Sequence, residues 1–97
     1  MITETAYISV RPGSEADFLS ALQRDGVEVL KRAHGFHSIV VQQGIERPSV
    51  FQLTLQWERL EDHTETFRGG PLFDEWRAVI APFFAETPVV EHWHAID

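Results

Sequence analysis

Residues able to do chemistry gather in two stretches of this chain. One is the terminal VVEHWHAID, where His92 and His94 flank Trp93 and Glu91 stands just before them. The other is WERLEDHTETF, which holds Trp57, His63 and Phe67 among several carboxylates. An imidazole titrates near neutral pH, so His63 is a candidate general base. Tyr7 can donate a phenolic hydrogen bond to a substrate oxygen, although a buried tyrosine with a backbone partner accounts for it equally well. His92 and His94 stand two apart, which puts both on one face of a strand. Two histidines are an incomplete metal set. A third ligand such as His37 would have to come from elsewhere, and no spacing places it. The favoured reading is a terminal strand with Trp93 packed and both histidines on the opposite face, a polar patch at a strand edge or dimer interface. No metal is expected there. His63 has its own plain alternative as a surface or capping histidine.

Composition removes other chemistries. The 97 residues include no cysteine, so disulfides, thiolate zinc sites and thiol nucleophiles are excluded. A formal charge of −7 argues against nucleic acid, whose phosphates call for lysine and arginine. The Gly69-Gly70 pair has only Arg68 beside it and makes a poor phosphate cradle. The start, MITETAYISV, shows neither a basic leader followed by an apolar run nor a membrane span, so a cytoplasmic protein is expected. At 43% hydrophobic residues the chain is globular, with one domain and a modest core.

The elements that must position these residues follow from periodicity. Ile2 to Val10 alternates as a strand, with Ala6, Ile8 and Val10 on one side and Tyr7 on the other. Ser14 is placed to cap a helix, with Asp17 reaching back. Phe18, Leu22, Gly26, Val29 and Ala33 continue that helix at helical spacing, and Gly26 is expected to let it lie close to a sheet. Gly35 ends it. Phe36 to Gly44 and Val50 to Glu58 read as two strands joined across Pro48. The second is the clearest, with Phe51, Leu53, Leu55 and Trp57 alternating with Gln52, Thr54 and Gln56. Leu60 to Phe67 reads as a short helix whose entrance carries solvated carboxylates at Glu58, Glu61, Asp62 and Glu65. Pro71 opens another helix with an apolar stripe through Leu72, Phe73, Trp76, Val79, Ile80 and Phe83, and Pro82 stops it. Val89 to Ala95 is the last strand.

Strand, helix, strand, strand, helix, strand is the α+β order of a ferredoxin-like split βαβ with a four-stranded antiparallel sheet. Helices cover one face. Apolar residues fall on both faces of several strands, more than one wet face explains, so a homodimer packed sheet against sheet is expected.

The pieces VRPGSEADFLSAL, GF at the start of the second strand, LTLQWERLEDHTETF, PLFDEW and VVEHW together resemble the antibiotic biosynthesis monooxygenase domain, a dimeric α+β barrel. The resemblance implies a pocket between the sheet and its helices. Some members of that family oxygenate aromatic anthrones with O₂ and no metal or cofactor; others degrade haem or act on quinols. The haem-degrading pattern asks for an asparagine on the first strand, a tryptophan on the helix after the third and a histidine soon after. This chain has Ala6 and Tyr7, Phe67 and Arg77 at those places, so the haem branch is set aside. Beyond that branch, the resemblance implies a cofactor-independent monooxygenase acting on a small hydrophobic, aromatic or quinone-like molecule. Its expected catalytic groups are Tyr7 and His63, and its expected pocket walls are Trp57, Phe67, Phe73 and Trp76. Neither membrane nor nucleic acid is expected as a partner. A non-catalytic small-molecule-binding dimer, and a structural dimer of the same fold, stay open beside it.

Overall fold

Alternation along the first strand decides which side of the sheet becomes the interior. The computed structural model describes residues 1–97. In it β1, Ile2–Ser9, buries Glu4, Ala6 and Ile8 and leaves Tyr7 exposed on the far side. β2 spans Phe36–Gln43, β3 Val50–Trp57 and β4 Val89–Trp93. All pair antiparallel in the order β2-β3-β1-β4, so β1 is bonded on both sides and β4 is an edge. This is the expected split βαβ. Val10 falls outside β1 and bridges Phe84 instead, and β4 stops at Trp93, short of the Ala95 expected.

Three helices lie on one face: α1, Glu15–Ala21, α2, Val27–Lys31, and α3, Pro71–Ile80. A π-helical segment, Leu22–Gly26, joins α1 to α2, and a second, Asp62–Phe67, precedes α3. Such wide turns recur at functional sites because the extra residue re-aims side chains. Phe18, Leu22, Val29 and Leu30 from the first helical layer meet Phe51, Leu53, Leu55 and Trp57 of β3 in a core of 14 residues. As expected, Pro71 opens α3, which gives way at Ala81 to a single 3₁₀ turn containing Pro82.

Local details depart from the sequence reading. Ser14 makes no capping bond through its side chain. The Glu15 carboxylate does the tying instead, accepting the Gly13 N–H at 2.9 Å and the Ser49 hydroxyl at 2.6 Å. Gly26 lies close to a helix rather than to the sheet: a Cβ there would stand 3.1 Å from the Trp76 ring. Asp62 is buried, not solvated, and accepts the Arg59 N–H at 3.1 Å. Its carboxylate occupies the space that a side chain at Gly35, φ +81°, would need.

The helix-free face carries Thr3, Thr5 and Tyr7 of β1, Gln52, Thr54 and Gln56 of β3, Val40 of β2, and Val89 and Trp93 of β4. Tyr7, Val40, Val89 and Trp93 are all exposed there. No helix is long and apolar enough to cross a membrane.

Candidate active site

The antiparallel register sets Glu4 directly opposite His92, both pointing to the helix side. Trp57 lies diagonally across on β3, within reach of a large side chain. Its Nε1–H donates to Glu4 Oε1 at 2.9 Å. His63 comes down onto this spot from the π-helical segment and stacks on the Trp57 ring, centroids 5.2 Å apart and planes 25° off parallel. His63 Nε2 stands 3.4 Å from Glu4 Oε1, and His63 Nδ1 is 2.7 Å from His92 Nε2. The result is a continuous polar line from Trp57 through Glu4 and His63 to His92, laid through an otherwise apolar interior. Glu4 and His63 are 6% and 4% exposed.

Burial governs how these groups hold protons. A carboxylate loses hydration in the interior, so Glu4 is raised above its ordinary 4.5, against the opposing pull of the Trp57 hydrogen bond and the Arg68 charge. His63 is lowered from 6.5 to about 3, chiefly by burial and further by His92 and Arg68. His92 is lowered too, by burial and then Arg68. Both imidazoles are therefore neutral at neutral pH, each with one donating and one accepting nitrogen.

A cavity of about 350 Å³ opens beside this line. Ala6, Ile8, Leu53, Leu55, Ile80 and Val90 give it an aliphatic floor, and Phe73 and Trp76 of α3 wall it. Glu4 and His63 reach its surface. Arg68 and Arg77 also line it, each guanidinium 6.0 Å from the Phe73 ring centre. The cavity thus joins aliphatic and aromatic walls to acid–base groups at one side, with Arg68, Arg77 and Glu86 as further charged groups in its lining. No three His, Asp or Glu side chains come together in a metal-holding group.

A sequence model of the family described as antibiotic biosynthesis monooxygenase matches residues 1–79. The chain belongs to the antibiotic biosynthesis monooxygenase family. It is similar to the uncharacterized protein YczJ of Bacillus subtilis, 31% identical over 96 residues, covering 99% of this chain and 100% of that one. A Bordetella bronchiseptica structure provisionally described as an antibiotic biosynthesis monooxygenase is 36% identical with a TM-score of 0.93, covering 98% of this chain and 96% of that one. SnoaB of Streptomyces nogalater, described as a cofactor-independent oxygenase and solved as a point mutant, shares the fold at TM-score 0.80 and 16% identity, covering 99% of this chain and 93% of that one.

Within this family fold, the residues expected from the sequence divide into three groups. His63, Phe73 and Trp76 line the cavity. Trp57 and Phe67 do not; they stand behind His63, with Phe67 5.6 Å from Trp57 and 5.8 Å from Phe73 between ring centres. Tyr7 is a correction. It pairs with Gln52 and Val89 on the helix-free face, and one step of strand alternation puts it across the sheet from the cavity. The terminal HWH is corrected likewise. Trp93 is the outward residue, 51% exposed and donating to Thr5 Oγ1 at 2.8 Å, while His92 points inward. His94 lies beyond the strand, and His37 contacts Glu58 at 3.3 Å, so neither joins His92.

Glu4 was missed, and His92 was singled out but read as a polar patch at a strand edge or dimer interface rather than as part of the site. The signal for Glu4 was present: it shares the parity of Ala6, Ile8 and Val10, so the strand's own alternation puts a carboxylate on the core side. The same parity rule separates Tyr7 from that side. No sequence signal gave the meeting of His92 with His63, because it depends on how β4 registers against β1.

Proposed function

We propose that this protein is a cofactor-independent oxygenase acting with O₂ on a small aromatic of the anthrone or hydroquinone type, and that it works as a homodimer. The observation that carries the reading is the apolar cavity of about 350 Å³ onto which a buried carboxylate–imidazole pair opens. Ligand cavities run from about 300 to 1,000 Å³, so a compact ring system fits.

The chemistry needs little from the protein. The Glu4–His63 pair removes a proton from an acidic C–H or O–H of the substrate. The resulting anion is electron-rich and passes one electron to O₂. For an anthrone, the substrate radical and superoxide then combine at the ring carbon, and the peroxide takes a proton back from the pair. Loss of the second C–H proton and cleavage of the O–O bond leave a carbonyl and water. The balance is CH₂ plus O₂ to C=O plus H₂O. Arg68 and Arg77 favour the oxyanion as it forms, and the apolar walls strengthen that attraction by excluding water. Phe73 and Trp76 hold the ring.

Dimerisation is supported by the apolar side chains on the helix-free face. Tyr7, Val40, Val89 and Trp93 are exposed on one sheet surface, where Thr and Gln fill only part of the area.

Oxygen uptake with a panel of anthrones and hydroquinones tests the activity. Wild type consumes O₂, and Glu4→Gln and His63→Gln slow it by about 10² to 10⁴-fold, the usual worth of a general base. A wild type that binds panel members without consuming O₂ would leave a binding protein. Turnover unchanged in both variants would remove the base from this site.

A further inference from the structure

The line through Glu4 does not end at the cavity. His92 is half-buried on the edge strand and is not among the residues lining the cavity. Yet its ring is 2.7 Å from His63, whose other nitrogen faces Glu4. His63 Nδ1 is thus hydrogen-bonded to His92, while Nε2 faces Glu4 across a longer ion-pair contact that has to shorten for a proton to pass. The two ends of the line are different. Glu4 Oε1 takes both the Trp57 N–H and the His63 contact, so Oε2 is left without a hydrogen bond. His92 uses only Nε2, so Nδ1 is left without one. No fully buried side-chain nitrogen or oxygen lacks a partner. Both free atoms therefore keep some accessible surface; Glu4 belongs to the cavity lining, and His92, on the edge strand, does not.

We infer that Glu4 is the residue that touches the substrate proton, and that His63 and His92 form a proton path linking its carboxyl to solvent outside the cavity. This rests on the oxygenase reading for its purpose, but not for its existence. The path has two states. In one, Glu4 is a carboxylate, His63 donates Nε2–H toward it, and His92 donates Nε2–H to His63 Nδ1. In the other, Glu4 carries a proton and donates to His63 Nε2, His63 donates Nδ1–H to His92 Nε2, and His92 holds its proton on Nδ1. Passing from the first to the second brings one proton from solvent to Glu4: N–H bonds form at Nδ1 of His92 and of His63, N–H bonds break at Nε2 of each, and an O–H bond forms on Glu4; the return reverses every step. No oxidant or other reactant takes part.

The path matters because an aromatic filling the cavity keeps water from Oε2. Without a second route, Glu4 would be locked in whatever charge it held when the ligand entered. With it, the carboxyl stays in equilibrium with solvent and returns to its basic form under the ligand. The charged and titratable groups around the line are few. Glu4 comes from β1, His63 from the π-helical segment and His92 from β4, with Arg68 in the turn before α3, Arg77 on α3 itself and the Glu86 carboxylate lining the same cavity from the segment before β4. Trp57 of β3 supplies a neutral donor. Arg68 acts on all three members of the line, holding Glu4 toward its carboxylate form and both imidazoles neutral. Neutral rings are what a path of this kind needs, since an imidazolium has no accepting nitrogen.

Histidine ring ¹⁵N spectra of the full chain, followed across the pH range without ligand, test the path. His92 should switch its proton from Nε2 to Nδ1 in step with protonation of the Glu4 carboxyl, read in parallel from its ¹³C shift. Glu4→Gln should abolish that switch while both histidine signals persist. A His92 tautomer indifferent to Glu4 would overturn the inference. Where turnover is found, His92→Gln keeps a hydrogen-bond donor but cannot conduct. It should lower kcat by about tenfold or more with little change in KM, and added imidazole should restore the variant while leaving wild type unchanged. A variant with wild-type kcat would also overturn it. Failure of every panel substrate would count against the oxygenase reading alone, because the spectra decide the path without a substrate.

Discussion

His63 should make this fold sensitive to mild acid, and the size of the effect can be worked out. Its folded value is about 3 against an ordinary 6.5. A lowered histidine binds protons more readily in the unfolded chain, so unfolding is favoured as the pH drops through the unfolded value. Its contribution is therefore intact above about pH 7 and is lost progressively on acidification toward the folded value. At about pH 5 the unfolded imidazole is mostly protonated and the folded one is still neutral. The ratio of binding there is about 30-fold, which is about 2 kcal/mol. Stopping at about pH 5 keeps the whole window above the folded value, so the unfolded value alone sets the size. Glu4 acts in the opposite sense. Raised in the fold, it destabilises the carboxylate form and relieves that cost as the pH drops through its folded value toward 4.5. Comparing wild type with His63→Gln removes this shared part. Urea unfolding of both, at one protein concentration and at about pH 7.5 and 5, should show wild type losing about 2 kcal/mol more than the variant. Equal losses would mean that His63 is not held neutral in the interior, and the account of the site's electrostatics would fail.

Other consequences can be measured directly. Trp57→Phe removes the donor to Glu4 and should cost about 1 to 3 kcal/mol near neutral pH. Its gap from wild type should shrink on acidification, because a protonated Glu4 needs that donor less; a gap independent of pH would argue against the bond. Tyr7→Phe should leave turnover unchanged, since Tyr7 is across the sheet from the cavity. Gly35→Ala should destabilise by at least about 2 kcal/mol in a urea melt, combining the left-handed backbone at φ +81° with the displacement of Asp62. Light scattering at micromolar concentration should report twice the 11.1 kDa chain mass, and Val40→Glu with Trp93→Glu should halve it. A folded monomer in the unsubstituted protein would refute the dimer.

The sheet and helices were legible because each strand and helix advertises itself within a few residues. The alternation from Phe51 to Trp57 and the stripe from Leu72 to Ile80 are local facts, and the structure keeps both. The cavity walls Phe73 and Trp76 were legible for the same reason. Side choice was legible but misapplied at Tyr7, whose parity already separated it from Ile8. What the chain alone does not carry is register. His92 meets His63 only because β4 aligns His92 with Glu4 rather than shifting by one, which would exchange its place with Trp93. The π-helical turns were also illegible. Nothing in the composition of Asp62–Phe67 marks the wide turn from which His63 stacks on Trp57 beside Glu4.

The placement of His92 on β4 also ties acid–base competence to the opening of an edge. β4 is five residues long and is bonded to β1 alone. Short one-sided strands detach with free energies well below that of global unfolding. Each detachment takes His92 away and hands His63 Nδ1 to water, while Glu4 stays where it was, held by the full-length pairing of β1 with β3. The site is thus divided between a rigid half and a fraying half. Amide exchange at Val90 and His92 would then track the turnover of the proposed oxygenase more closely than any melting temperature, and whatever clamps the last strand would tune the proton path together with the cavity floor at Val90.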